Sequence, residues 1–182
     1  RVPMMSKASS MAALALPLTL CVGCSSGSAG AAERLDLCAY TLYFADEFDD
    51  LAIAPRKLEN GARWTAHTPW NGDFGDAQFS DPRPDWPFTS VNGILRITAK
   101  RDEKGRWRSG LIAAAEGSGA GHGLQYGYFE ARMKFPPGPG VWPAFWLNAN
   151  NVDWPRGGEI DIFENRGSQP NLVSSAYHWQ VS

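Results

Sequence analysis

The stretch GEIDIFEN, residues 158–165, decides how this chain is read. It holds three carboxylates, Glu159, Asp161 and Glu164, with Ile160, Ile162 and Phe163 between them. Residues two apart in a strand share a face. Glu159 and Asp161 therefore point together, and Ile160 and Ile162 point into a core. Glu164 lies five residues after Glu159, so a regular strand would bury it on the apolar side, where an unpaired carboxylate is costly. One extra residue, a β-bulge near Ile162–Phe163, restores the phase. All three acids then line one face at the floor of a cleft.

Two carboxylates on one surface suit glycoside hydrolysis, in which retaining enzymes hold nucleophile and general acid/base about 5–5.5 Å apart. A third acid between them keeps the site strongly negative and lets a proton be shared. Taken alone, the same pattern also fits a solvated face or a calcium site, since calcium prefers clustered oxygen ligands. The stretch VWPAFWL, residues 141–147, shifts the balance. Read as a strand, it puts Trp142 and Trp146 on one face with Ala144 between them, and Val141, Pro143, Phe145 and Leu147 on the other. If the second set supplies the core, the indoles are left to stack on sugar rings. The alternative is that both indoles are core.

The rest of the chain is consistent with a β protein. Its 182 residues suggest one domain, and 17 basic against 19 acidic side chains leave a net charge of −2, with no basic patch for nucleic acid. Eight Trp, 19 Gly and 13 Pro suit a loop-rich β fold with an aromatic surface. VNGILRITAK (91–100) carries the Asn92-Gly93 pair that favours a tight hairpin, followed by Leu95, Ile97 and Ala99 on one side. YGYFEARMKF (126–135) alternates, with Phe129, Ala131, Met133 and Phe135 on one face. LVSSAYHW (172–179) reads as a further strand. Several short strands between turn signals predict an antiparallel sandwich. GSGAGHG (117–123) lacks the Lys-Ser/Thr ending of a phosphate loop and precedes a strand pattern, so it reads as a loop. The three His residues, 67, 122 and 178, are scattered, against a zinc site.

The N-terminus reads as an export signal outside the fold. Lys7 gives a basic start, and MAALALPLTLCVG (11–23) is apolar but short for a bilayer span of about 20 residues. Small residues follow. Two processing readings stay open: cleavage at AGA (29–31), or lipidation of Cys24 in CVGC (21–24), which would tie the protein to a membrane. Residues 1–31 are thus expected to be signal and linker, and 32–182 the domain. Cys38 is then the one Cys clearly in the mature chain, which rules out an internal disulfide. It is expected to be a small buried side chain.

YGYFEARMKFPPGPGVWPAFWL followed by GEIDIFE resembles family 16 of the glycoside hydrolases, in its laminarinase-type branch with a bulged acidic strand. ADEFDD (45–50), NGILRITAK and SGLI (109–112) match in order, and the resemblance covers roughly Phe44 to Trp179. It implies an all-β, concanavalin A-like jelly roll with a glycan cleft and a double-displacement, retaining mechanism. Glu159 would be the nucleophile, Asp161 would orient it, and Glu164 would be acid/base. Trp142 and Trp146 would stack on the glucan. His178 matches a histidine beside the cleft, or is a hydrogen-bonded structural residue. Asp76 and Gln78 of GDAQF (75–79) match a substrate-side segment in part. No cofactor is needed for the chemistry; a structural calcium is expected away from the cleft, with Glu47 as a ligand. The implied partner is a polysaccharide, with β-1,3- or mixed β-1,3/1,4-glucan as substrate. Two alternatives stay open, another polysaccharide such as a galactan or bacterial exopolysaccharide, and a glucan-binding sandwich without catalysis. The expected protein is an exported monomer. Against the family pattern, the chain stops at Ser182 before the remaining strands, and Arg1-Val2-Pro3 precede the Met pair. Both point to a partial domain.

Overall fold

The computed structural model describes residues 4–7 and 35–180. The fold is all-β. In chain order the strands are β1 (Met4–Lys7), β2 (Tyr40–Phe44), β3 (Ile53–Ala54), β4 (Trp64–Thr65), β5 (Gln78–Phe79), β6 (Phe88–Val91) and β7 (Ile94–Ile97). They continue with β8 (Lys100–Arg101), β9 (Trp107–Ser109), β10 (Tyr128–Phe129), β11 (Ala144–Asn148), β12 (Glu159–Asn165) and β13 (Val173–His178). A 3-10 turn at Leu37–Ala39, capped by the Asp36 carboxylate, is the one described helical element. No described helix is long and apolar enough to cross a membrane.

The sheet that carries the acids has the order β11-β12-β13 and is antiparallel throughout. A second three-stranded sheet, β10-β1-β2, is antiparallel as well. Two short pairs, β3 with β4 and β5 with β9, run parallel, which departs from a purely antiparallel sandwich. The Asn92-Gly93 hairpin forms between β6 and β7, with Val91 opposite Ile94. Both turn residues take positive φ, 52° and 70°, which is what a two-residue turn with the twist of its strands requires.

Met4, Phe44, Phe48 and Trp64 form the buried cluster, with Ile53, Leu95, Ile112, Ala114, Leu124 and Phe129 packed against it. The Trp64 ring meets Phe44 edge-on at 5.2 Å and stacks on Phe48 at 6.1 Å. Beneath it Asp46, 4% exposed, accepts from Arg63 Nε at 2.9 Å, Trp64 Nε1 at 2.6 Å and the Phe48 N–H at 2.7 Å. Burial pushes the Asp46 carboxyl up, but these donors more than offset it and hold the group below its ordinary value.

Met4–Lys7 is a strand between β2 and β10, with Met4 opposite both Phe44 and Phe129. The apolar run, AGA and Cys24 lie outside the described residues. Three expectations need correction. Cys38 is exposed, because it sits in the turn leading into β2 and not in a strand facing the core. The alternation of 126–135 becomes a strand only at Tyr128–Phe129, and Met133 is exposed. Ile160 lies opposite the acids as expected but is 46% exposed, as is Tyr177 beside it to a similar degree, since nothing among the described residues covers that face enough to bury them.

Candidate active site

The register around β12 accounts for the odd spacing of its acids. Against β11, Glu159 pairs with Asn148, Asp161 with Trp146 and Glu164 with Ala144, and Ile162 is passed over. Against β13, Glu159 pairs with His178, Asp161 with Ala176 and Glu164 with Ser174, with a register shift between Asp161 and Glu164. Partners on both neighbours fall at alternate positions, so the three carboxylates share one face, and the bulge sits at Ile162–Phe163. The carbonyl of Ile162 accepts from Ser175 Oγ at 3.0 Å, which satisfies a group the ladder leaves out. Phe163 packs on the opposite side, stacked on Phe135 at 4.5 Å.

Each carboxylate accepts a hydrogen bond from a ring N–H. Trp154 Nε1 donates to Glu159 Oε2 at 2.6 Å, and Trp142 Nε1 donates to Glu164 Oε1 at 2.9 Å. Between them Asp161, 7% exposed, meets His178 Nε2 at 3.1 Å. An ionised Asp161 accepts, so the proton there sits on Nε2. Burial with a single ring partner makes Asp161 suited to hold the neighbouring side chains in place, and the half-buried glutamates are the ones within reach of a ligand.

The aromatic residues form a wall beside the acids. Trp142, 54% exposed, lies just outside β11, which begins at Ala144. It is held there by pairing of the loop: Asn165 N–H donates to the Pro143 carbonyl at 3.1 Å and Gly167 N–H to the Val141 carbonyl at 2.8 Å. Gly167 is required for this approach, because a Cβ there would lie 2.2 Å from the Gly138 carbonyl. Trp146 is half-buried, with Trp70 at 5.9 Å and Phe74 at 6.0 Å, and Phe74 also meets Trp142 at 6.5 Å. The two expected tryptophans are thus bridged by Phe74, and neither is core.

Other expected positions lie apart. Gln78 accepts from the Arg108 guanidinium, and Asp76 is exposed with no contact to the carboxylates. Phe74, just before their segment, meets Trp142 and Trp146. Among the described residues no three His, Cys, Asp or Glu side chains converge as a metal site. Trp154, Trp70 and Phe74 were not singled out from the sequence. Trp154 is five residues before Glu159, and an aromatic residue in a turn next to an acidic strand is the signal it offered; Trp70 and Phe74 lie far upstream and offered no local signal.

Residues 91–182 match the model of Glycosyl hydrolases family 16. The chain belongs to that family. It is 30% identical over 167 residues to endo-1,3-1,4-beta-glycanase ExsH of Rhizobium meliloti, an alignment covering 79% of this chain and 34% of that protein. It is 26% identical to a beta-glucanase of Rhodothermus marinus, over 97% of this chain and 60% of that one. A stretch of 48 residues, 25% of this chain and 13% of the other, is 47% identical to the beta-1,3-glucan-binding protein of Penaeus monodon. This family 16 chain therefore spans about a third of the length of ExsH. No solved structure matches it.

Proposed function

We propose that this domain is a retaining endo-hydrolase of β-1,3- or mixed β-1,3/1,4-glucan. The observation that carries the reading is the shared face of Glu159, Asp161 and Glu164 across a one-residue bulge, beside an exposed aromatic wall. Glu159 attacks the anomeric carbon, the glycosidic C–O bond breaks, and its electron pair leaves on the oxygen that Glu164 protonates. Glu164, now a carboxylate, takes a proton from water as that water attacks the same carbon and returns Glu159 to its anion. Asp161, fixed by His178, orients both neighbours. Trp142 and Trp146 offer flat apolar surface to sugar rings. The printed activities of the Rhizobium and Rhodothermus relatives support a β-glucan substrate.

A glucan-binding role without catalysis is the second reading, favoured by the Penaeus relative's name. Retention of all three acids supports hydrolysis over it. The apolar segment at 11–23 supports export. Reducing-sugar release from laminarin and mixed-linkage glucan, native chain beside Glu159→Gln, tests the proposal. Release by the native chain alone supports it. Binding of either glucan without release by the native chain sinks hydrolysis and favours the second reading.

A further inference from the structure

We propose that Trp154 is a positioning residue for Glu159, and that it selects which oxygen of that carboxylate attacks. The proposal rests on the hydrolase reading above. The indole N–H lies 2.6 Å from Glu159 Oε2, a short charge-assisted hydrogen bond. Oε1 is left as the oxygen free to bond to carbon. In the glycosyl-enzyme, Oε2 becomes the ester carbonyl and still accepts from the indole. When water displaces Glu159, the C1–Oε1 bond breaks and its electron pair returns to a carboxylate that the same N–H stabilises. A fixed donor thus serves both steps without moving.

The loop is built to hold this donor. Gly158 N–H donates to the Pro155 carbonyl at 3.0 Å, and Arg156 pairs with Asp153 at 2.8 Å, on either side of the Trp154 position. Gly158 takes φ +79°, turning the chain directly into Glu159. At Gly157 a Cβ would sit 2.4 Å from Ala149 Cβ, so the turn lies close against the end of β11. Trp154 itself is 61% exposed, and its burial supplies little of the core. The ring faces a cavity of about 250 Å³ shared with Pro155, Tyr177, His178 and Trp179, so an effect on turnover must be separated from an effect on sugar contact.

Trp154→Phe makes that separation, because it keeps an aromatic face and removes the N–H. The expected result is a 10- to 100-fold fall in kcat with KM within about twofold, on the scale of a small misplacement of a reacting group. The Trp154 indole N–H resonance, assigned by its loss in Trp154→Phe, should move upfield in Glu159→Ala. A raised KM with unchanged kcat would make Trp154 a sugar platform only and overturn the proposal. So would an indole resonance indifferent to Glu159→Ala. A native chain that cleaves no glucan would sink the hydrolase reading instead, and the resonance would still decide whether Trp154 holds Glu159.

Discussion

Deleting Ile162 should leave the three carboxylates on one face and the fold intact. Along β11 the partners of Glu159 and Glu164 are Asn148 and Ala144, with no residue missing between them, and between the two glutamates only Ile162 of β12 lacks a partner there. Along β13 the shift falls at the same place. Without Ile162, Glu159 and Glu164 are four apart, an even spacing that a regular strand places on one face. Their separation along the sheet, about 14 Å between Cα atoms at 3.4 Å per residue, is unchanged because β11 still sets it. The deletion loses a half-buried Ile side chain, about 1–1.5 kcal/mol, and the Ser175 bond to its carbonyl, about 1 kcal/mol. Two regained ladder bonds offset it at about 1 kcal/mol each. The net is roughly 1 kcal/mol or less, a Tm shift of about 2–4 °C for a domain this size.

Activity of the deletion should stay within about tenfold of native, an allowance of about 1.4 kcal/mol in barrier for altered reach. Glu164→Gln, which removes the acid, should lose about 10²–10⁴-fold. Deleting Ile160 instead makes Glu159 and Asp161 adjacent and puts them on opposite faces, so activity should fall to background. The assay is glucan hydrolysis with a thermal melt on each protein. A folded Ile162 deletion as inactive as Glu164→Gln, or an Ile160 deletion as active as native, would refute the register argument.

Three further expectations concern the core and the rim. The Asp46 carboxyl is held below its ordinary value, so its contribution to stability is present above about pH 4 and lost as pH falls through the depressed value. Asp46→Ala should cost about 3 kcal/mol at pH 7, at the low end for a broken buried pair because Arg63 is 32% exposed, and the gap to native should narrow in melts below pH 4. Met4→Ala should cost about 2–4 kcal/mol in the full chain, measured by urea titration, and have no counterpart in a chain starting at residue 32. Trp142→Phe keeps the ring but loses the N–H to Glu164, so turnover should fall while laminarin affinity, read by calorimetry, changes less than twofold.

What could be read from the sequence was whatever rests on local periodicity. The bulge followed from an acid at an odd spacing, because the cost of burying Glu164 leaves the backbone little choice. The Asn92-Gly93 hairpin followed from turn chemistry that needs no tertiary contact. The aromatic wall was only half legible. Trp142 and Trp146 stand in a patterned run, but Trp70 and Phe74 come from a loop over 60 residues upstream, and no local pattern reports where such a loop closes.

Met4–Lys7 shows the same limit from the opposite direction. Basic-then-apolar composition describes a segment by itself, whereas a strand slot between Phe44 and Phe129 is a property of the fold that receives it. The two readings also conflict over one physical object. If cleavage at AGA removes β1, the facing edges of β2 and β10 lose their shared partner, and unpaired edge groups invite association with another chain. A chain starting at residue 32 should then elute at a higher apparent mass than the full chain on gel filtration. Equal elution as a monomer would mean that β2 and β10 close on each other, and that Met4–Lys7 fills a gap the domain does not need.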